Sequence, residues 1–213
     1  MRSGIRRTTT MEAKFDAQKN LDKLIESLNG KKPSLLLHCC CGPCASYCID
    51  YLVPYFDITA YFFNPNIMPQ EEYKLRLETF DKLLSYYPSV KRIVVKGGED
   101  KFLSLAKGLE ALPENSERCR GCIRMRLYQT VADSAGYDYF ATTLTVSPHK
   151  DADFINAAGK EIEYEFKREN RACAAFLPTD FKKKDGFKKS VELSRKYGLY
   201  RQIYCGCRFN QFV

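Results

Sequence analysis

The cysteines are the residues of this chain whose type and spacing most directly indicate chemistry. Ten occur among 213 residues, and nine of them form three groups: Cys39, Cys40, Cys41, Cys44 and Cys48; Cys119 and Cys122; Cys205 and Cys207. In a reducing cytosol, clustered cysteines more often bind metal or carry out redox chemistry than form structural disulfides. Cys173 stands apart, and we expect it to be a small buried apolar residue. The sequence therefore predicts a metal-binding or redox site.

Four of these cysteines would meet the requirement of a cubane iron–sulfur cluster, which commonly takes four thiolate ligands. The turn at residues 39–44 can supply one pair, and Cys119 and Cys122, in the first turn of a predicted helix, can supply the other. Amide groups at a helix N-terminus favour the thiolate form of a cysteine. Zinc takes the same four ligands, and unmetallated redox thiols can have the same spacing. From spacing alone, all three alternatives stay open.

The elements that must position these cysteines alternate between strand and helix. Short apolar runs predict strands at 34–38, 58–63, 92–95, 139–144 and near 174–177. Helical spacing of apolar residues predicts helices near 15–28, 45–52, 71–86, 101–112, 119–135, 151–167 and 186–197. The alternation predicts an α/β fold, a Rossmann-like parallel sheet with helices on both faces, plus a C-terminal basic helix and loop. Ligands of such sheets bind beyond the carboxyl ends of the strands, where the three cysteine-bearing segments can converge.

The domain organisation follows from the same patterns. Residues 1–15 are basic and rich in Thr, without the apolar region of a secretory signal, and are predicted to be a disordered N-terminal tail. Residues 16–213 are predicted to form a single α/β catalytic domain with the cysteine site at the C-terminal edge of the sheet. No window approaches 18 uninterrupted apolar residues, which argues against a membrane span. We therefore expect a cytoplasmic protein with no membrane partner.

Positive charge is concentrated near the C-terminus of the sequence. The net charge is +8, and residues 180–213 contain nine Lys or Arg against three Asp or Glu. Aromatic residues are interleaved with this charge: Phe187, Tyr197, Tyr200, Tyr204 and Phe209. Such a surface suits a polyanion with unstacked bases, as in single-stranded RNA. A solvated charged face produces the same pattern, so charge alone leaves both alternatives open.

Six motifs occur in a fixed order along the chain: H-x-C-C-G-P-C at 38–44, Y-F-F-N-P-N-I at 61–67, C-x-x-C at 119–122 followed by Arg126 and Leu127, T-T-L-T-V-S-P-H-K at 142–150, D-F-K-K-K-D-G-F at 180–187 and Y-C-G-C-R-F at 204–209. Together they resemble the QueH family of cobalamin-independent, iron–sulfur epoxyqueuosine reductases over about residues 34–209. The resemblance implies a HUP-type fold, akin to adenine nucleotide α-hydrolases and PP-loop proteins, with the ATP-binding loop replaced. It also implies a [4Fe–4S] cluster, an additional iron nearby, no cobalamin, and tRNA carrying epoxyqueuosine as the substrate.

Carried over by position, the resemblance implies that Cys40, Cys41, Cys119 and Cys122 bind the cluster. A one-residue slip would make Cys39 a ligand in place of Cys41, because this chain has three consecutive cysteines. Cys44 lies one helical turn beyond Cys41 and can hold the second metal, although a helix-capping thiol without metal would occupy the same position.

The C-terminal C-x-C, Cys205 and Cys207, resembles the family's redox-active pair, and a disulfide across so short a loop should be easily reduced. Two free thiols are the alternative. His149 and Asp180 are the candidate proton donors, and helix capping is the alternative for each. The candidate substrate-binding residues are Asn64, Asn66, Lys150, Lys182, Lys183 and Arg208. For these residues a turn or a solvated charged face is the structural alternative.

The predicted activity is reduction of the epoxide of epoxyqueuosine to the alkene of queuosine at the tRNA wobble position, with electrons from an unidentified donor. A rival enzyme is a PP-loop-like tRNA sulfur transferase, against which the missing phosphate-binding loop counts. A rival without catalysis is a zinc-stabilised RNA-binding module.

Overall fold

A five-stranded, all-parallel sheet forms the centre of the protein in a computed structural model that describes residues 15–210. The strands are β1 (Ser34–His38), β2 (Asp57–Phe62), β3 (Lys91–Val94), β4 (Tyr139–Thr142) and β5 (Ala175–Phe176). Their order in the sheet is β3-β2-β1-β4-β5, and each neighbouring pair is parallel. The predicted α/β, Rossmann-like parallel sheet is confirmed.

Helices cover both faces of this sheet. They are α1 (Ala17–Ser27), α2 (Gly42–Leu52), α3 (Gln70–Leu84), α4 (Glu99–Ala106), α5 (Glu117–Ala132), α6 (Ala152–Arg168) and α7 (Gly186–Lys196). Successive side chains of β1 point to opposite faces, so Leu35 and Leu37 pack into one apolar cluster with α2 and α3. Leu36 packs into the other cluster, with α5 and α6. This continuous burial explains the unbroken apolar run of the first strand.

Most bounds differ from the predicted ones by one to three residues, but α4 ends at Ala106 rather than near residue 112, because Lys107 leaves the helical conformation and Gly108 follows with φ +80°. Two of the smaller differences bear on the site. Helix α2 starts at Gly42 rather than near residue 45, because the Cys41 thiol caps it and accepts a hydrogen bond from the amide of Cys44 at 3.4 Å. Strand β4 ends at Thr142, since the chain turns into a 3₁₀ helix over Thr143–Val146 instead of continuing as strand to residue 144. Both differences lie at the carboxyl edge of the sheet.

The strand order reverses between β1 and β4, which is where doubly wound sheets place their ligands. His38, the last residue of β1, is fully buried at this point. Its Nε2 donates to the Phe63 carbonyl at 3.2 Å, and its Nδ1 accepts from the Thr142 hydroxyl at 2.8 Å. Burial lowers the pKa of His38 to about 3, so the ring is neutral and ties together the ends of three strands.

The predicted tail, residues 1–15, lies outside the described residues except for Phe15. The division into a tail and one catalytic domain stays a prediction. Across the described residues, no helix combines the length and the apolar character that crossing a membrane requires.

Candidate metal and redox site

Three cysteines form a tight group immediately after β1. The sulfur atoms of Cys40, Cys41 and Cys44 all lie within 4.8 Å of one another. The Cys40 and Cys41 sulfurs are 3.9 Å apart. Thiolates about 2.3 Å from a tetrahedral metal would be roughly 3.8 Å apart, so this spacing suits shared coordination. The group lies at the N-terminus of α2, where the helix dipole favours anionic sulfur.

The group concentrates negative charge on one sulfur. Hydrogen bonds from the Cys41 and Cys44 thiols hold the pKa of Cys40 well below its ordinary value, and nearby Arg126 and Thr143 lower it further. The hydrogen bond with Cys40 stabilises the protonated thiol of Cys41 and raises the pKa of Cys41 to about 12. The pKa of Cys44 is raised for the same reason. A thiolate is therefore favoured at Cys40, and thiolate is the form that binds metal.

Cys39 and Cys48 are not part of this group. Cys39 is fully buried in the apolar cluster under α2, and its thiol donates to the Leu37 carbonyl at 3.3 Å. Burial raises its pKa well above the ordinary value. Cys48 is also fully buried and donates to the Cys44 carbonyl at 3.3 Å. Alternation along the extended chain explains why Cys39 and Cys40 point in opposite directions.

The second and third cysteine groups meet each other in a small cavity of about 10 Å³. Cys119 and Cys122, near the start of α5, line it together with Cys205 and Cys207 from the C-terminal loop. Burial raises the pKa of Cys122 to about 11. A cavity of this size holds about one water molecule. The structure thus brings together four cysteines that are up to 88 residues apart in the chain.

A larger cavity of about 300 Å³ adjoins the small one. Cys40, Cys44 and Cys205 line it, and both cavities share Arg126, Lys150 and Cys205. Cys119 and Cys122 are not within the 4.8 Å group of described residues. Arg126 is close to both groups, because its side chain lines the cavity of each.

The loop that carries Cys205 and Cys207 is fixed by buried polar contacts. Gly206 adopts a left-handed conformation with φ +94°, and its carbonyl accepts from the amide of Met68 at 2.9 Å. The guanidinium of Arg76 donates to the carbonyls of Tyr204 and Cys205, at 3.0 Å each. Arg76 is buried and pairs with Glu72 at 2.6 Å. The two cysteines are therefore held against the cavities by helix α3.

The other predicted site residues fall into three environments. His149 and Lys150 line the larger cavity, and Lys150 Nζ is 3.1 Å from Glu114. Lys182 donates to the Lys150 carbonyl at 3.1 Å and lies 3.7 Å from Asp180. Asp180, Lys182, Lys183 and Arg208 are not among the described residues lining the two cavities, and Lys183 and Arg208 are exposed.

Asn64 and Asn66 lie beneath the site, each only 1% exposed. The Asn64 amide donates to the Cys39 carbonyl at 2.9 Å and accepts from Arg126 at 3.0 Å. Both ends of its side chain are thus engaged within the protein. A substrate contact for either asparagine stays a prediction.

Three residues of the site were not among the predicted site residues: Arg76, Gln202 and Arg126, the last of which was named only as part of a motif. Gln202 donates to the Cys41 sulfur at 2.8 Å, across 161 residues of sequence. Arg126 could have been found, because it lies one helical turn after Cys122 and so shares its face of α5. Nothing in the local sequence indicates the roles of Arg76 and Gln202, which depend on distant segments meeting.

The donor set fits a metal or iron–sulfur cofactor. Soft thiolates are the ligands preferred by iron–sulfur clusters and zinc. Two buried polar atoms beside the thiols, Arg126 Nε and Gln202 Oε1, have no hydrogen-bond partner among the described residues. Buried polar groups are usually paired, so these atoms mark a place where a further group is accommodated.

Comparisons with known proteins agree with this arrangement. Residues 35–212 match the family described as "Epoxyqueuosine reductase QueH". Curated proteins of that name from Staphylococcus epidermidis and Streptococcus pyogenes are each 39% identical, over 92% and 83% of this chain and 87% and 69% of the relative. One from Thermotoga maritima is 34% identical over 83% of this chain and 90% of the relative. This chain belongs to the QueH family.

Proposed function

We propose that this protein reduces epoxyqueuosine to queuosine in tRNA. The relatives are named as epoxyqueuosine reductases, and the match spans most of this chain. The observation that carries the proposal is the convergence of three separate cysteine groups on two adjoining cavities at the strand-order reversal. A redox centre beside a cavity of about 300 Å³ is what reduction of one modified base requires.

The reaction removes the epoxide oxygen as water and leaves an alkene. Two electrons and two protons enter for each oxygen removed. The protein must therefore bind the base, hold an electron source against it and supply protons to the departing oxygen. Each requirement has candidate residues around the larger cavity.

Cys40, Cys41, Cys119 and Cys122 are the proposed ligands of a [4Fe–4S] cluster, and Cys44 is the proposed ligand of an additional iron. Support comes from the tight thiol group, the thiolate favoured at Cys40 and the two unpartnered polar atoms beside it. When bound, the cluster supplies electrons singly and the additional iron supplies a Lewis acid. Cys39 is not a proposed ligand, since its thiol is enclosed in the apolar core.

Lys150 and His149 are the candidate proton donors at the cavity wall. Burial lowers the pKa of Lys150, but the electrostatic attraction of Cys205 and Glu114 has the larger effect. The pKa of the lysine is therefore raised. The lysine is therefore protonated at neutral pH and can donate a hydrogen bond to an oxygen in the cavity. His149 is exposed at the rim, where it can exchange protons with water. Asp180 does not line the cavity, so it is proposed to act on the proton donors indirectly. It lies 3.7 Å from Lys182, whose ammonium group donates a hydrogen bond to the Lys150 carbonyl.

Cys205 and Cys207 are proposed to store an electron pair as a dithiol that becomes a disulfide. Both are free thiols, and Cys205 lines both cavities. Their oxidation would release two electrons and two protons, which equals the demand of one epoxide. Cys205 shares the larger cavity with Cys40 and the smaller one with Cys119 and Cys122, which supports this role.

Basic residues of the C-terminal segment are proposed to contact the tRNA backbone. Lys183 and Arg208 are exposed, and Arg201 lies over the ring of Phe187 at 5.7 Å at the cavity wall. A guanidinium beside an aromatic ring suits an unpaired nucleotide. The electron donor is unidentified, and a cytoplasmic location stays a prediction.

The test is incubation of anaerobically reduced protein with tRNA that contains epoxyqueuosine, followed by nuclease digestion and mass analysis. We expect queuosine to form without ATP. A Cys173→Ser variant is the matched control, because this cysteine lines neither cavity among the described residues. The absence of queuosine, with the metal centre intact and reductant present, would refute the function. A requirement for ATP would favour the sulfur transferase, and a colourless protein containing only zinc would favour the RNA-binding module.

A further inference from the structure

Arg126 occupies the boundary between the two cavities. It lies on α5, is 5% exposed, and lines the larger cavity with Cys40 and the smaller one with Cys122. One guanidinium nitrogen, Nη1, donates to Asn64 Oδ1 at 3.0 Å. Its Nε is buried without a hydrogen-bond partner among the described residues. A charged side chain with an unused donor is therefore enclosed between two groups of thiols.

A buried guanidinium is unfavourable unless a negative charge or several acceptors offset its lost hydration. The other two buried arginines beside the C-terminal loop have such partners. Arg76 pairs with Glu72, and Arg118 donates to three backbone carbonyls. Among residues 15–210, no carboxylate forms an ion pair with Arg126. The candidate anions that share its two cavities are cysteine sulfurs and one carboxylate, Glu114, which is already paired with Lys150 at 3.1 Å.

We propose that Arg126 is the counter-charge of the metal centre, with Nε donating to an anionic sulfur ligand. The inference rests on the proposed function in one respect only, namely that these thiols hold a cluster. Arg126 is a positioning residue: Asn64 fixes its guanidinium, and Asn64 in turn donates to the Cys39 carbonyl at 2.9 Å, next to the first ligand. Two hydrogen bonds through Asn64 therefore link the cation to the thiol turn.

The charge of Arg126 should act on the electron affinity of the centre. Reduction adds negative charge, which a nearby cation stabilises, and hydrogen bonds to sulfur act in the same direction. The guanidinium should thus raise the reduction potential. Lysine would keep the charge but lose the planar fork that lets Nε and Nη1 bind two partners at once.

Arg126→Met and Arg126→Lys test the proposal against the control Arg124→Gln. Arg124 lies two residues earlier on the same helix and pairs with Glu161 at the surface, at 2.6 Å. Iron and sulfide per chain are measured after anaerobic reconstitution, followed by the rate of iron loss to a chelator. The midpoint potential comes from a redox titration of the visible spectrum, and the melting temperature is measured on the metal-free proteins. We expect R126M to lose iron to a chelator about tenfold faster than the wild type.

We also expect R126M to have a more negative potential, R126K to stay closer to the wild type, and R124Q to match it. Metal-free R126M should melt no lower than metal-free R124Q. The reason is that Met replaces the buried, charged Arg126 side chain with an apolar one of similar volume. Wild-type potential and iron retention in R126M would overturn the proposal. A metal-free R126M that fails to fold would also overturn it, since Arg126 would then be a packing residue.

Failure of this inference is distinguishable from failure of the proposed function. The potential and the iron content are measured without tRNA. If the wild type holds a cluster but forms no queuosine, the function fails and the comparison of R126M with R124Q still decides the role of Arg126.

Discussion

Gly206, between the two cysteines of the C-terminal loop, cannot accept a side chain without disturbing its surroundings. Its φ of +94° is in the region that L-residues rarely adopt. A Cβ atom would lie 2.8 Å from Arg76 Nη1 and 3.0 Å from Ile67 Cγ1. Arginine side chains are usually flexible, but this one is held by Glu72 and by the carbonyls of Tyr204 and Cys205. Gly206→Ala must therefore strain the backbone and displace Arg76 or the loop.

The magnitude follows from these two effects. Placing alanine in a left-handed conformation costs about 1–2 kcal/mol. Losing one of the hydrogen bonds from the charged guanidinium costs about 1.5–3 kcal/mol more. We therefore expect Gly206→Ala to lower the free energy of unfolding by about 2.5–5 kcal/mol, or to release the loop locally. Because positioning errors of about 1 Å can slow a reaction a hundredfold, turnover should fall by at least tenfold while the iron content is retained.

Gly136→Ala is the matched control for this substitution. Gly136 has φ +88°, but nothing lies within 4 Å of where its Cβ would be. Gly136→Ala should therefore lower the free energy of unfolding only by the backbone strain, about 1–2 kcal/mol, and leave turnover per iron unchanged. The assays are urea unfolding and queuosine formation at equal iron content. Equal losses of stability and turnover in the two variants would refute the view that Arg76 holds the C-x-C loop in its working position.

Two further predictions concern individual cysteines. Cys205→Ser should keep the iron content and visible spectrum of the wild type. It should form queuosine at least about tenfold more slowly, because the proposed electron store is lost. Wild-type turnover in this variant would exclude that role. Cys39→Ala and Cys40→Ala form a matched pair of neighbours with opposite environments. Cys39→Ala should lower the free energy of unfolding by about 1 kcal/mol with the iron content unchanged. Cys40→Ala should lose iron. Loss of iron from Cys39→Ala would instead show that Cys39 is a ligand.

The fold was largely predictable from the sequence because each buried strand is a short apolar run and each helix shows helical spacing of apolar residues. The parallel order then placed the cysteines after β1 at the carboxyl edge of the sheet. The family resemblance was confirmed by the comparisons. The early start of α2 was missed, because a thiol that caps a helix is not a usual sequence signal.

The remainder of the site depends on contacts between distant segments. Arg76 reaches the carbonyls of the C-terminal loop across 128 and 129 residues, and Gln202 reaches Cys41 across 161 residues. Such contacts leave no periodic pattern in the sequence. Asn64 is a contrasting example: its place in the Phe-Asn-Pro-Asn turn suggested substrate binding, which stays a prediction, and nothing in that turn indicated the hydrogen bonds of its amide with Cys39 and Arg126.

The central claim is that cysteines from two distant stretches of the chain hold one electron-carrying metal centre. Its most direct test is iron, zinc and sulfide analysis with a visible spectrum of anaerobically purified protein, for the wild type, Cys122→Ser and Cys173→Ser. We predict a brown wild type containing iron and sulfide, an unchanged Cys173→Ser protein, and loss of the cluster spectrum in Cys122→Ser. A Cys122→Ser protein with the iron, sulfide and spectrum of the wild type would contradict the account.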